Sequence, residues 1–302
     1  YGSTGTMSFD ALPSKIAGLD QKAGLLFGIA MVIVGLGFKI GAVPMHIWIP
    51  DVYQGAPTPV TAFLSVGSKA AGFILLMRFL EACLTDSTSS HLSHLLVAIT
   101  LATLILGNLA AIPQSNFKRL LAYSSIAHAG FMLLALAAGI GATDVGPGAG
   151  EIVSVYLATY LVMTLGVFFI LAQIRIQRDG EDISHFDGLG KTNPLLAISL
   201  TILMASLAGL PLTAGFIGKF LVFKLAIEAG FWAGIAASII GVAAGFYYYF
   251  KVIRAMWWSD LRDAQPVCIP RISAGCVAIL TVATLVLGVW PQPVFWLLQA
   301  AH

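Results

Sequence analysis

Long apolar runs separated by short polar segments make up most of this 302-residue chain. Each run is close to the roughly 20 residues that a helix needs to cross the hydrocarbon core of a bilayer. The runs do not alternate apolar and polar residues as the strands of a transmembrane barrel do, so we predict helices throughout. The eight predicted spans are residues 23–43, 58–82, 93–113, 119–141, 152–174, 194–229, 231–256 and 273–299.

Proline interrupts this pattern at two places. Gly41-Ala-Val-Pro44 ends the first span and leads into a stretch from Pro50 to Pro59 that we interpret as loop-like. The sixth span is too long for one straight crossing and contains Ala208-Gly-Leu-Pro211 near its middle. Because proline lacks an amide donor and clashes with the preceding turn, we predict helix breaks near Pro44 and Pro211. Two breaks in corresponding places favour a transporter built from repeats over simple kinks.

Composition supports a membrane location and excludes other classes of protein. Hydrophobic residues make up 58% of the chain and charged residues only 10%, whereas soluble domains carry about 25% charged residues. The net charge of +2 gives no reason to expect nucleic acid as a partner. The three cysteines lack metal-ligand spacing, and the sequence has no dinucleotide-binding loop, haem motif or iron–sulfur motif. We therefore expect this chain to bind no redox cofactor and no metal.

The distribution of Lys and Arg predicts the orientation of the spans. Nine of these residues fall on one side of the eight spans, and Lys15, Lys22 and Arg78 fall on the other. The basic side should be cytoplasmic, so both ends of the chain should face the opposite compartment. The nine are Lys118, Arg119, Arg175, Arg178, Lys191, Lys251, Arg254, Arg262 and Arg271.

Four further lysines lie inside or near the ends of apolar runs. A lysine at the centre of a membrane helix costs about 2.5–3.5 kcal/mol on insertion scales, so it usually faces a bundle interior or a water path. We interpret Lys224 as a side chain that reaches the interface. That interpretation fits three others poorly: Lys39, just before the first break, Lys69, in mid-span, and Lys219, just after the second break.

These three lysines are candidate proton carriers. Surroundings of low polarity penalise the charged form of an amine, so a buried lysine can gain or lose a proton when its surroundings change. All 14 acidic residues fall in loops or at span ends. Because an unpaired buried charge is costly, we expect the counter-charge to come from another part of the protein or from another subunit.

Three other polar residues are weaker candidates for a proton path. His46 and Asp51 flank the first break, where an interfacial histidine and a helix-capping aspartate are equally plausible interpretations. His128 lies within a span and can be a proton relay or simply a hydrogen-bonded residue of the bundle.

Two other groups are interpreted structurally. His91 and His94, at a span entrance, are expected at the surface rather than in a metal site. The aromatic cluster from Phe246 to Phe250 and the pair Trp257-Trp258 are expected to pack or to anchor the chain at the membrane interface rather than to bind a quinone.

Long motifs along the whole chain carry a family resemblance. They are Phe38–Val60, Ser68-Lys69, Asn116–His128, Ser206–Phe220 and Gly288–Pro293. Together they resemble the antiporter-like membrane subunits of bacterial NADH-quinone oxidoreductase, respiratory complex I. The form Asp51-Val-Tyr-Gln-Gly-Ala-Pro57 resembles subunit N more than the sister subunits L and M.

The resemblance implies a fourteen-helix protein of two inverted five-helix repeats, each with one broken helix. Residues 1–302 would form one membrane domain holding the last eight helices: the end of the first repeat (1–82), the second repeat (93–256) and a final helix (273–299). Lys39 would be the lysine of the first half-channel, Lys69 the connecting lysine and Lys219 the lysine of the second half-channel, which opens to the periplasm. The glutamate that pairs with Lys39 in the family would precede Tyr1. The polar, glycine-rich start of the chain likewise leads us to expect an N-terminal truncation.

The leading hypothesis is a proton-translocating subunit of NADH-quinone oxidoreductase in the bacterial inner membrane, part of an enzyme but without a redox centre. NADH, FMN, iron–sulfur clusters and quinone are implied elsewhere in the complex. The implied partners are the lipid bilayer, an antiporter-like neighbour and small helical membrane subunits. The alternatives are a stand-alone cation/proton antiporter and a packing subunit whose lysines have no function.

Overall fold

The computed structural model describes residues 1–19, 23–85, 88–140, 148–178, 180–259 and 267–299. Those ranges contain fourteen α-helices and no named strand. The helices are α1 Leu12–Ala17, α2 Ala23–Ile40, α3 Trp48–Gly55, α4 Thr58–Phe63, α5 Lys69–Cys83, α6 Ser89–Ala111, α7 Phe117–Gly139, α8 Ala149–Arg178, α9 Leu189–Thr192, α10 Pro194–Ala208, α11 Ala214–Glu228, α12 Trp232–Trp258, α13 Arg271–Val289 and α14 Gln292–Gln299.

Seven continuous helical stretches of the described residues are long and apolar enough to cross a membrane. The stretch Thr58–Cys83 is one of them, and it contains α4, a π-helical segment and α5. The pair α10 and α11 occupies the remaining predicted span, the sixth. The predicted all-α, multi-pass membrane fold is therefore confirmed.

The predicted break in the sixth span is confirmed. Helix α10 ends at Ala208 and α11 begins at Ala214. Gly209 has a φ of 95°, a left-handed conformation that glycine adopts without steric cost, and Leu212 has a φ of 70°. Pro211 lies between them. Together these residues turn the chain so that the second half-helix starts from a new position.

The first break is shorter than predicted. Helix α2 ends at Ile40, but α3 occupies most of the stretch that we interpreted as loop-like. Ile49 and Tyr53, four residues apart, are both buried. Spacing of four puts them on one helical face, and α3 packs against α7, so tertiary burial stabilises a helix in a proline-rich stretch.

The last predicted span is also interrupted. Helix α13 ends at Val289 and a separate short helix, α14, begins at Gln292. Trp290, with ψ of 81°, lies outside the helical region because it precedes Pro291. The prediction of one helix over residues 273–299 was therefore wrong.

Helix α7 is the axis of the bundle. In α7, 94% of an 18-residue stretch is buried, against 22% in α13. Helices α3, α6, α8, α11 and α12 all contact it. Polar side chains on α7 are therefore shielded from lipid and have to find partners within the protein.

Candidate functional site

Lys69 is buried against α7. Its side chain is 2% exposed, and it follows directly on the π-helical segment Leu64–Ser68. The ammonium group donates to the backbone carbonyl of Ser125 and, over 2.6 Å, to the Ser125 hydroxyl. The Ser125 hydroxyl lies 3.3 Å from the hydroxyl of Tyr53. A π-helical segment is a frequent feature of functional sites, and here it immediately precedes a buried cation.

Lys219 is buried beside the second helix break. Its side chain is 6% exposed, and its Nζ donates to the carbonyl oxygens of Leu207 at 2.9 Å and Ala208 at 2.7 Å. Those carbonyls belong to the last turn of α10, where the helix dipole favours positive charge. The same nitrogen lies 5.1 Å from the centre of the Phe131 ring, within range of a cation–π interaction.

His128 is buried between two tyrosines. Its Nδ1 lies 2.7 Å from the Tyr156 hydroxyl, and its Nε2 lies 3.2 Å from the Tyr249 hydroxyl. The Tyr249 hydroxyl is also hydrogen-bonded to the Ser124 hydroxyl. Both ring nitrogens of the histidine therefore face hydroxyl groups, which can donate or accept a proton.

These contacts share one helix. Ser125, His128 and Phe131 are spaced three residues apart on α7 and thus lie close to one face of it. Ser125 binds Lys69 and Phe131 faces Lys219, while His128 occupies the turn between. At 1.5 Å per residue, the two lysine contacts are separated by only about 9 Å along the helix axis.

Lys39 is placed differently from the other two lysines. It lies in the last turn of α2 with its side chain exposed on the outer face of the bundle. Its stem passes close to Gly72 of α5, a helix that also carries Lys69. No hydrogen bond or ion pair involving Lys39 is found among the described ranges, whereas the sequence-based expectation was a bundle lysine. Its role stays a prediction.

Other predicted residues lie away from this buried cluster. His46, in the turn after the first break, is half-buried, and Asp51 forms an exposed ion pair with Arg119 at 2.5 Å. Pro44 and Pro211 are exposed within their breaks. His91 and His94 are at the surface, and Lys224 pairs with Glu228 at 3.7 Å in solvent reach, as predicted.

A buried ion pair at one end of the bundle was missed from the sequence. Lys118, which we had placed simply on the basic side, is fully buried and lies 2.7 Å from Glu181. It also donates to the carbonyl of Ala56 at 2.8 Å, in the linker that leads to the helix of Lys69. Arg175 contacts the same Glu181 oxygen at 2.9 Å. This cluster could not be predicted from the sequence, because Lys118 and Glu181 are far apart along the chain and only the fold brings them together.

The hydroxyl groups of the site were also missed. The segment Phe246–Phe250 was interpreted as packing or anchoring, and Tyr247 and Phe250 are exposed as expected of anchors. Tyr249 is buried and hydrogen-bonded instead, as is Tyr248, which donates to Asn108 over 3.2 Å. The sequence signal for these hydroxyl groups was the pair Ser124-Ser125 just before His128, because buried hydroxyls beside an intramembrane histidine need hydrogen-bond partners.

The fold and the site together define a multi-pass helical membrane protein that carries ionisable residues inside the bundle, the usual mark of an ion or proton pathway. Residues 1–245 match the family described as NADH:quinone oxidoreductase/Mrp antiporter, TM. The chain belongs to this family, whose members are antiporter-like membrane subunits.

Solved structures of respiratory and antiporter complexes share the fold. Respiratory complex I from Thermus thermophilus with bound Aureothin matches with 34% identity and a TM-score of 0.78, over 97% of this chain and 62% of that one. The archaeal membrane-bound sulfane sulfur reductase matches with 29% identity and a TM-score of 0.86, over 98% and 59%. The Mrp complex from Dietzia sp. DQ12-45-1b shares the fold at 21% identity, with a TM-score of 0.82, over 97% and 61%. This chain spans about three fifths of the length of these chains.

Proposed function

We propose that this chain translocates protons as a membrane subunit of a respiratory NADH-quinone oxidoreductase and corresponds to subunit N. The observation that carries the proposal is the pair of buried lysines that contact α7 at Ser125 and Phe131, on either side of His128. The motifs Asn116–His128 and Ser206–Phe220 support it, since they contain Ser125, His128 and Lys219. The family membership and the likeness to complex I add further support.

The geometry suits stepwise proton transfer. Lys69 contacts the Ser125 hydroxyl, and the hydroxyl of the neighbouring Ser124 is hydrogen-bonded to Tyr249, which reaches His128. Water or a small movement of the bundle is required for the step between the two serines and for the step to Lys219. Both lysines contact the same stretch of α7, and like charges repel each other in a medium of low polarity, so charging one lysine favours proton release from the other.

The helix break gives Lys219 a second role. A protonated Lys219 satisfies two carbonyl groups at the end of α10, while a neutral amine has one donor fewer and no charge to oppose the helix dipole. Proton release therefore weakens the link between α10 and α11. We propose that this coupling opens the second half-channel toward the periplasm.

The remaining elements of the proposal follow the family resemblance. Lys39 belongs to the first half-channel and pairs with a carboxylate from another part of the protein or from another subunit, while His46 and Asp51 line the approach to it. Residues 1–82 end the first repeat and 93–256 form the second. The exposed face around Lys39 is consistent with a partner outside the described chain.

The proposed setting is the inner membrane of a bacterium, with an antiporter-like neighbour and small helical subunits as partners. NADH, FMN, iron–sulfur clusters and the quinone, for example ubiquinone, are bound by other subunits. Quinone reduction drives this chain through changes of charge and hydration passed along the membrane domain.

The second candidate is a stand-alone cation/proton antiporter, which the Mrp antiporter part of the family description favours. Purification distinguishes the two. Co-isolation with hydrophilic redox subunits supports the respiratory subunit. Cation exchange by the purified lone protein in vesicles supports the antiporter.

Replacement of Lys69 tests the proposal directly. We expect Lys69→Met in the assembled complex to reduce redox-driven proton uptake into vesicles about tenfold or more, because the central carrier is lost. The matched control is Lys224→Met, which removes the same charge from an exposed ion pair. Equal proton uptake in both variants and in the wild type would refute a proton-carrying role for Lys69.

A further inference from the structure

The outer face of α12 contains a cleft near the end of the helix. Its volume is ≈ 600 Å³, and it is lined by Tyr247, Phe250, Lys251, Arg254 and Trp258. Tyr247, Lys251, Arg254 and Trp258 follow one another at spacings of three or four, and Phe250 lies three residues after Tyr247, so all five form one stripe along the helix. We call this the α12 cleft. None of its residues takes part in the buried lysine site.

The α12 cleft has two cations at its centre. The Lys251 ammonium group donates to the carbonyl of Gln114 at 2.9 Å, which uses one of its three hydrogens. The Arg254 guanidinium is exposed, and within the described residues no hydrogen bond or ion pair involves it. The cleft therefore offers several free donors and positive charge to a ligand from outside.

The two cations lie at the basic end of the bundle. Lys251 contacts the chain just after α6, and the backbone amide of Gly188 donates to the carbonyl of Ala255, one residue beyond Arg254. The loop that contains Gly188 also carries Glu181, the partner of Lys118 and Arg175. The cleft thus opens on the side that the positive-inside rule predicts to be cytoplasmic.

Polarity changes in order along the exposed face of α12. Ile239 and Ile240 are exposed in its first half, followed by Tyr247 and Phe250, and Trp258, 75% exposed, lies at the end. Along α12 the exposed side chains are first aliphatic and then aromatic and cationic. This is the order of the acyl chains, the glycerol region and the headgroups in one leaflet of a bilayer. Tryptophan at the headgroup level is typical of a membrane interface.

We propose that the α12 cleft binds an anionic phospholipid of the basic-side leaflet. The phosphate lies between Arg254 and Lys251, where guanidinium and ammonium groups form charge-assisted hydrogen bonds with it. One acyl chain follows Phe250 and Tyr247 toward Ile240. A zwitterionic lipid fits the same apolar stripe, but its own cation competes with the two basic residues for the phosphate, so the charge of the cleft selects anionic lipid.

Photo-crosslinking in lipid bilayers tests this site. The protein, in the complex in which it is isolated, is reconstituted with phosphatidylglycerol or phosphatidylcholine that carries the same photoreactive acyl chain. We expect phosphatidylglycerol to label the peptide 232–258 preferentially. Arg254→Gln should reduce that labelling about fivefold, since one basic residue near an anionic surface strengthens the binding of anionic lipid by about that factor. Lys251→Gln/Arg254→Gln should reduce the labelling to the phosphatidylcholine level.

Two controls distinguish loss of the binding site from a general loss of positive charge and from misfolding of the variants. Lys15→Gln/Arg78→Gln removes the same two charges from the other side of the bundle and should leave the labelling unchanged. Arg254→Gln breaks no described hydrogen bond, so its fold should persist even if Lys251→Gln destabilises the contact with Gln114. Equal labelling of 232–258 by both lipids would overturn the proposal, and so would the absence of labelling by either lipid, because a partner subunit would then cover the cleft.

Discussion

Lys219 holds its ammonium nitrogen 2.7 Å from the carbonyl oxygen of Ala208, the last residue of the half-helix on the other side of a break. One side chain therefore carries the buried charge and also caps the helix that precedes it. Since a proton on Lys219 strengthens the cap, protonation and the geometry of the break are linked. Under the proposed function, a change in the charge of Lys219 would therefore act directly on the end of α10.

Helix α13 packs closely against the break between α10 and α11. A Cβ atom added at Gly288 would lie 2.4 Å from the Leu212 carbonyl oxygen and 2.4 Å from the Thr213 Cα, both backbone atoms of the break. Gly288→Ala is therefore expected to shift the break and to destabilise the protein by about 1–3 kcal/mol through overpacking. Thermal unfolding in detergent, together with proton uptake in vesicles, measures both effects.

The matched control for Gly288→Ala is Gly275→Ala in the same helix. A Cβ at Gly275 meets no atom within 4 Å, so alanine there should be neutral or should stabilise α13 slightly. Similar melting temperatures and proton uptake for the two variants would show that α13 does not hold the break in place.

Tyr249 is expected to be part of the proton path. Its hydroxyl joins His128 to Ser124, and Tyr249→Phe removes that hydroxyl while the ring still packs. We expect proton translocation to slow about tenfold, because a proton-transfer step loses its relay. Tyr247→Phe is the control, since Tyr247 lies on the same helix with its side chain 61% exposed. Normal translocation in Tyr249→Phe would exclude the hydroxyl from the path.

The Lys118–Glu181 pair is expected to stabilise the junction between α7 and the loop after α8. Lys118→Met leaves Glu181, only 12% exposed, with Arg175 alone, and breaking a buried pair costs about 3 kcal/mol. Lys224→Met, which breaks a pair in solvent reach, should cost at most about 1 kcal/mol. The comparison is made by thermal unfolding of the two purified variants. Equal melting temperatures would mean that the buried pair adds no stability.

The spans were predictable from the sequence because bilayer thickness sets their length, and the second break was predictable because Pro211 and Gly209 are both unfavourable in a helix. The helix α3 was not predictable in this way. Its turns depend on the burial of Ile49 and Tyr53 against α7, which is a tertiary effect. The end of α13 at Val289 had a local signal, Pro291, that the apolar run obscured.

The site was predictable where charge stands out against apolar surroundings. Lys69, Lys219 and His128 were predicted in this way, and the structure brings their contacts together on α7, while their role in proton transfer stays a prediction. Ser125 and Tyr249 were not, because a serine or tyrosine costs little in a membrane helix and only the fold shows which ones face a lysine or a histidine.

Proton stoichiometry in a Lys219→Ala variant tests the central claim most directly. The assembled complex is reconstituted in vesicles, and protons translocated per electron are measured beside wild type and Lys224→Ala. The buried pathway predicts a lower ratio in Lys219→Ala with electron transfer still measurable, and a wild-type ratio in Lys224→Ala. An unchanged ratio and unchanged pumping in Lys219→Ala would contradict a proton pathway through this lysine.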